Sequence, residues 1–150
     1  MPVFEPTGRK AKDLWLVDGS PDFAHFPGGL ADHIPEPLPI WLRVGTSAYG
    51  EVHIRGGHGH WVRRFNKTVP ELLYEKLGQP GVIYTAEETA KFKISLRLNP
   101  TSLLILHLIT HQQQPHFSVT SFYTHPARLD GERLGRYPGR PGSAQTRRMF

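Results

Sequence analysis

Between Lys91 and Leu98 apolar and polar residues alternate without a break. Phe92, Ile94, Leu96 and Leu98 fall on one side, and Lys91, Lys93, Ser95 and Arg97 on the other. A period of two marks a strand with one buried face. Leu103 to Thr110 is apolar at nearly every position, as a central strand covered on both faces would be. His116 to Thr124 alternates again, which predicts His116, Ser118 and Thr120 on one face and Phe117, Val119, Ser121 and Tyr123 on the other. Turns at Asn99-Pro100-Thr101-Ser102 and Gln112-Gln113-Gln114-Pro115 separate these runs, and Val82 to Thr85 forms a short strand before them. Connections this short predict an antiparallel meander.

Elsewhere the pattern is less regular. Thr68-Val69-Pro70-Glu71 is a helix start, with Thr68 as N-cap and Pro70 and Glu71 in the first turn. Leu72, Leu73 and Leu77 make its apolar stripe, and Gly78 and Pro80 end it. His60 to Phe65 is a candidate helical turn, with Gly56, Gly57 and Gly59 favouring a loop before it. Ile40 to Val44 is a short apolar strand. Residues before it are rich in Pro, Gly and Asp, so they predict an arm packed by Trp15, Leu16, Val17, Phe23 and Phe26, with one short element near Asp13 to Val17. After Pro126 the apolar periodicity is lost among glycines, prolines and arginines. The expected architecture is α+β: short helices packed on a four-stranded antiparallel sheet. An irregular arm covers 1–39, the folded domain 40–125 and a basic tail 126–150.

A chain of 150 residues is long enough for one domain with a real core. Cysteine is absent, which removes disulfides and thiolate metal sites. No apolar run approaches the ~20 residues a membrane helix needs. The first residues lack the basic and apolar regions of a signal peptide. The expected place of action is therefore the cytoplasm, whether of the producing cell or of one into which the protein is delivered, with no membrane partner. A net charge of +5 favours a polyanion as partner.

The chemistry concentrates in Gly50-Glu51-Val52-His53-Ile54-Arg55-Gly56-Gly57-His58-Gly59-His60-Trp61. Histidine exchanges protons near neutral pH, and Arg55, Arg63 and Arg64 would suit an anionic substrate. Antiparallel pairing would bring Lys91, Lys93, His107 or His111, Ser118 and Thr120 toward one another on a polar sheet face beneath these histidines. Metal-free RNA cleavage needs a base for the ribose 2′-hydroxyl, an acid for the departing 5′-oxygen, and a cation or donor for the phosphoryl charge. All of these residue types are present. Each also has a plainer explanation: His53 as a structural histidine of a strand, His60 as a cap, His107 as a sheet-pairing residue, Lys91 and Lys93 as solvated strand positions. His58 and His60 form an H-x-H pair that, with Glu51 or His53 as third ligand, would suit zinc or nickel. No H-E-x-x-H, nucleotide-binding glycine motif or G-x-S-x-G elbow occurs.

The order Gly50-x-x-His53-Ile54, a second histidine at His58, a helix with Pro70-Glu71-Leu72-Leu73, then a strand after Pro80 and three antiparallel strands resembles the barnase, EndoU, colicin-type tRNA nuclease and RelE assemblage of small RNases, in its phage- and polymorphic-toxin-associated branches. The resemblance spans about Ile40 to His125. It implies a metal-independent endoribonuclease toxin without a cofactor, cutting RNA, tRNA among the candidates, on a concave sheet face. An acidic immunity or antitoxin protein would be its neutralising partner. By position it implies catalytic roles for His53 and His58, for Lys91 or Lys93, and for Thr120 or Ser121. His60, Arg55, Arg64, Ser118 and Arg140 are candidate substrate contacts. The glycines in place of part of the expected helix, and His60 as a rival to His58, leave acid and base unassigned. Two other function classes stay open: a non-catalytic RNA- or protein-binding module, and a metal-dependent hydrolase using His58 and His60.

Overall fold

The computed structural model describes residues 2–56, 66–85, 93–98, 102–110, 114–123 and 131–140. The meander lies at its centre. Strands β5 (Gly81–Thr85), β6 (Lys93–Leu98), β7 (Ser102–Ile109) and β8 (His116–Tyr123) pair in turn, each antiparallel to the next.

The sheet does not stop at four strands, and this corrects the expected fold class. Among the described residues it has seven, in the order β3-β4-β8-β7-β6-β5-β9. Strands β3 (Ala24–Phe26) and β4 (Leu38–Trp41) extend it beyond β8, and β9 (Arg133–Tyr137) pairs outside β5. β4 runs parallel to β8, so the sheet is mixed. A separate two-stranded ribbon joins β1 (Phe4–Pro6) to β2 (Trp15–Val17). The protein is thus mostly β, with the expected arm and tail both supplying strands. These strands are too short and too rich in Pro and Gly to fill a period-two window. Pro39 is tolerated in β4 because pairing with β8 begins only at Ile40.

One face of the sheet forms the core. Ile94 pairs with Leu106 and Leu96 with Leu104, while Leu106 pairs with Val119 and Leu104 with Phe122. All six are fully buried, each side chain contributing about 1.5–3 kcal/mol. Leu72, Leu73 and Leu77 of the helix α2 (Val69–Leu77) join the same cluster. The helix starts as expected. Thr68 Oγ1 accepts from the Glu71 backbone N–H at 3.4 Å, and the Thr68 N–H donates to Glu71 Oε1 at 2.9 Å. Those bonds hold the Glu71 carboxyl below its ordinary range. A first helix, α1, covers residues 50–56 where the sequence suggested a strand at His53-Ile54; it sends Ile54 into the core.

The last residue of β9 and the chain just beyond it are fastened to α2. Buried Tyr137 donates its hydroxyl to the Leu77 carbonyl, and Arg140 donates to the carbonyls of Tyr74 and Phe23 with its guanidinium 3.5 Å above the Tyr74 ring. Among the described residues no helix is long and apolar enough to cross a membrane.

Candidate active site

A β-bulge builds the polar face. On β8, Ser121 pairs with Ile105 and Val119 with Leu106, leaving Thr120 as the extra residue. A bulge reverses the phase of alternation. Val119 and Phe122, three positions apart, both enter the core, while Ser118 and Ser121 both turn to the opposite face. Strict alternation had put Ser121 with Phe117 and Val119; the bulge corrects this. Thr120 donates its hydroxyl to the Ile105 carbonyl at 3.0 Å. Across the strands the register sets Lys93 beside His107, His107 beside Ser118, and Ser118 beside Trp41, in one row.

Above this face a glycine-flanked turn leads into α1. Gly45 and Gly50 have φ of +75° and +80°, and a Cβ on Gly45 would fall 2.1 Å from the Tyr49 carbonyl oxygen. Between them Thr46 and Tyr49 close on each other by backbone hydrogen bonds of 2.9 and 3.3 Å. Two N–H groups of α1, those of Glu51 and Val52, bond the carbonyls of Arg43 and Val44, each at 3.0 Å. The turn presents the Ser47 carbonyl to His53, whose Nδ1 lies 2.8 Å away. A carbonyl only accepts, so Nδ1 carries the proton. In the neutral ring Nε2 is then the basic nitrogen, and the Ser121 hydroxyl donates to it at 3.3 Å.

A second imidazole is fixed in the same way. Buried His116 donates from Nδ1 to the Gln114 carbonyl at 2.8 Å, and its Nε2 accepts from Arg43 Nη1 at 2.8 Å. Its ring stacks on Trp41 with centroids 4.0 Å apart, and Trp41 is anchored by its indole N–H to Asp22 at 2.7 Å. Desolvation lowers the Arg43 pKa, partly opposed by Tyr49, but a guanidinium stays charged at neutral pH.

These groups enclose a cleft of about 570 Å³, lined by Arg43, Tyr49, His53, Lys93, His107, Ser118, Thr120 and Ser121 over a floor of Ile105 and Ile109, with Ala48 at its edge. None of the described residues lining it is acidic. Five expected residues therefore meet in one place: His53, Lys93, Ser118, Thr120 and Ser121. Arg55 and Arg140 do not line the cleft. Arg55 donates to the buried Glu51 carboxylate at 2.8 and 3.3 Å, which raises its pKa, and Arg140 clasps α2 as described above. His58, His60, Arg64 and Lys91 lie outside the described residues, as do Arg63 and His111.

Three of the described polar residues lining the cleft lie beyond the catalytic and substrate-contact set expected from sequence: His107, Arg43 and Tyr49. His107 is a cleft residue rather than only a sheet-pairing one, and its in-row position between Lys93 and Ser118 was the available signal. Arg43 and Tyr49 carried no sequence signal, because they depend on β4 joining β8 in parallel and on the turn between Gly45 and Gly50. Among the described residues no group of three His, Asp or Glu side chains converges as metal ligands. Comparison with family models, with curated proteins and with solved structures gives no match.

Proposed function

We propose that this chain is a metal-independent endoribonuclease of the toxin type its sequence resembles. The observation that carries the proposal is His53: one ring nitrogen is fixed on a carbonyl, and the other faces a cleft that holds Lys93 and His107 and no described carboxylate. His53 Nε2 takes the proton of a ribose 2′-hydroxyl that displaces the Ser121 hydroxyl from it. The 2′-oxygen bonds to phosphorus, the bond from phosphorus to the 5′-oxygen breaks, and His107 in its protonated form gives that oxygen a proton. Lys93 and Ser118 stabilise the charge on the phosphoryl oxygens. The products are a 2′,3′-cyclic phosphate and a 5′-hydroxyl. The cleft charge favours RNA as partner, and a neutralising protein with an acidic surface would fit the same face.

The test is cleavage of total RNA in excess chelator by wild type, His53→Ala and His107→Ala. Wild type is expected to cut and both variants to lose at least about a hundredfold. RNA binding without cut products would instead support a non-catalytic module, and activity lost to chelator and restored by zinc or manganese would support a metal-dependent hydrolase.

One observation favours a second reading. Ser121, His53 and the Ser47 carbonyl stand in the order of nucleophile, base and orienting group. On that reading Ser121 Oγ gives its proton to His53 Nε2 and bonds to phosphorus, the bond from phosphorus to the 5′-oxygen breaks and that oxygen takes a proton. Water then hydrolyses the phosphoseryl bond, so no 2′-hydroxyl is needed. Ser121→Ala separates the two: the ribonuclease reading expects activity within about tenfold of wild type, and the nucleophile reading expects its loss.

A further inference from the structure

We infer that Arg43 forms a second phosphate-binding subsite at the far end of the cleft, positioned by His116, so that the substrate is a polynucleotide chain engaged by at least two phosphates. The inference rests on the ribonuclease reading for the nature of the chain, but the phosphate chemistry stands on its own geometry.

The cleft has two ends. His53 meets the sheet at Ser121, and Arg43 meets it at His116. Both partners lie on β8, five positions apart, which at ~3.3 Å per residue is about 16 Å of strand, less the shortening at the bulge. Lys93 and Arg43 come from different strands as well. Lys93 is on β6 and Arg43 follows β4, with β7 and β8 between those two strands. At ~4.8 Å per strand that is about 14 Å of sheet. A single phosphate is too small to sit in-line at His53 and also be gripped at the His116 end. The chain of a nucleic acid repeats its phosphates, so a second one reaches the second cation.

The Arg43 end is built, not incidental. A guanidinium offers a rigid fork of donors that matches phosphate oxygens, and a long side chain normally loses rotamer freedom on binding. Here that freedom is already restricted. His116 holds Nη1 at 2.8 Å, Gln114 fixes the tautomer that can accept, and Trp41 fixes the plane of the ring. His116 has no exposure of its own. It is therefore a positioning residue that acts through Arg43. Ser118, between the two ends and 5% exposed, lines the path from one to the other.

The test compares a diribonucleotide, which has one phosphodiester, with a tetraribonucleotide cut at the same step. Wild type is expected to favour the longer substrate through a lower KM. In Arg43→Ala the advantage in kcat/KM of the longer over the shorter should fall about tenfold or more, the size of a hydrogen-bonded charge contact. His116→Phe keeps the stack on Trp41 without the acceptor and should lower the ratio in the same direction. His116→Gln, which restores an acceptor, should recover part of it. Lys67→Ala removes a cation that pairs with Glu75 beside α2, away from the cleft, and should leave the ratio unchanged. A 2′-deoxy tetranucleotide gives a readout independent of cleavage. Its affinity, followed by anisotropy across salt, should drop in Arg43→Ala, with the slope of log affinity against log salt reduced by about one. Loss of this binding in Arg43→Ala, with no RNA cut by wild type, sinks the ribonuclease reading and leaves the subsite standing. Cleavage by wild type with an unchanged ratio and unchanged deoxy binding in a folded Arg43→Ala overturns the subsite alone.

Discussion

His53 and His116 are each fixed by a backbone carbonyl at 2.8 Å on Nδ1. Neither ring is free to choose its tautomer, and that restriction is what gives each Nε2 a defined job. On the proposed ribonuclease reading, the job of His53 is to accept a proton. His53→Ala is expected to lower turnover by about 10²–10⁴, the usual span for a general base. His53→Gln keeps an acceptor near the same place but cannot carry the proton away, and should be as inactive as alanine. His107→Ala should lower turnover by a similar span, because the departing 5′-oxygen then lacks its proton donor. Lys93, Ser118 and Thr120 were legible from sequence, because residue type and strand phase point to them, and His53 was legible from its glycine-flanked histidine cluster although α1 stands where a strand was expected. Arg43 was not. It sits two positions past Trp41 and meets His116, 73 positions away, only through the parallel pairing of β4 with β8. Local periodicity carries no trace of such a contact.

The elements that came out as expected were those whose signals are local. Thr68 caps α2 and the central meander follows the short turns. Thr68→Ala should cost about 1 kcal/mol in urea unfolding at neutral pH. The charge on Glu71 adds to this cap. Its folded carboxyl titrates below the ordinary value of 4.5, so its contribution is present above that range and is lost as pH falls through the folded value. Glu71→Gln should therefore be less stable than wild type at neutral pH and converge with it in acid. The opposite trend would mean the cap is not formed. The bulge at Thr120 could not be read, because a period-two pattern has no symbol for an extra residue. Deleting Thr120 restores strict alternation with Ser121 still on the cleft face, but it removes the local twist that aims Ser121 at His53. Loss of activity together with lower thermal stability is the expected result, whereas Thr120→Val should keep the fold and lose only the bond to Ile105. Strands β3 and β9 escaped the sequence for a different reason: each is too short to show a period, and long-range pairing makes them strands, whereas β4 overlaps the short strand expected from Ile40 but starts at Leu38 and ends at Trp41.

At the scale of the whole molecule, the sheet separates two tasks. One face is packed with aliphatic side chains, and the other carries the cations and hydroxyls of the cleft. A net charge of +5 adds a long-range pull on polyanions. Cleavage at low substrate should weaken steeply with added salt, as counterion release requires, while unfolding midpoints change little. Arg55 tests whether basic residues outside the cleft matter. Its removal strands the buried Glu51 carboxylate and should cost about 1–3 kcal/mol of stability, with kcat/KM on RNA changed far less than by His53→Ala.

Because attack by a 2′-hydroxyl leaves a distinctive scar, the most direct measurement is the chemistry of the cut ends. Purified protein is incubated in excess chelator with a defined oligoribonucleotide and with the same sequence carrying a single 2′-deoxyribose at the cut step, and the products are weighed by mass spectrometry. A 2′,3′-cyclic phosphate with a 5′-hydroxyl from the first, and no cut at that step in the second, is the outcome expected of the His53 cleft. Equal cleavage of both oligonucleotides, or none of either, would contradict it.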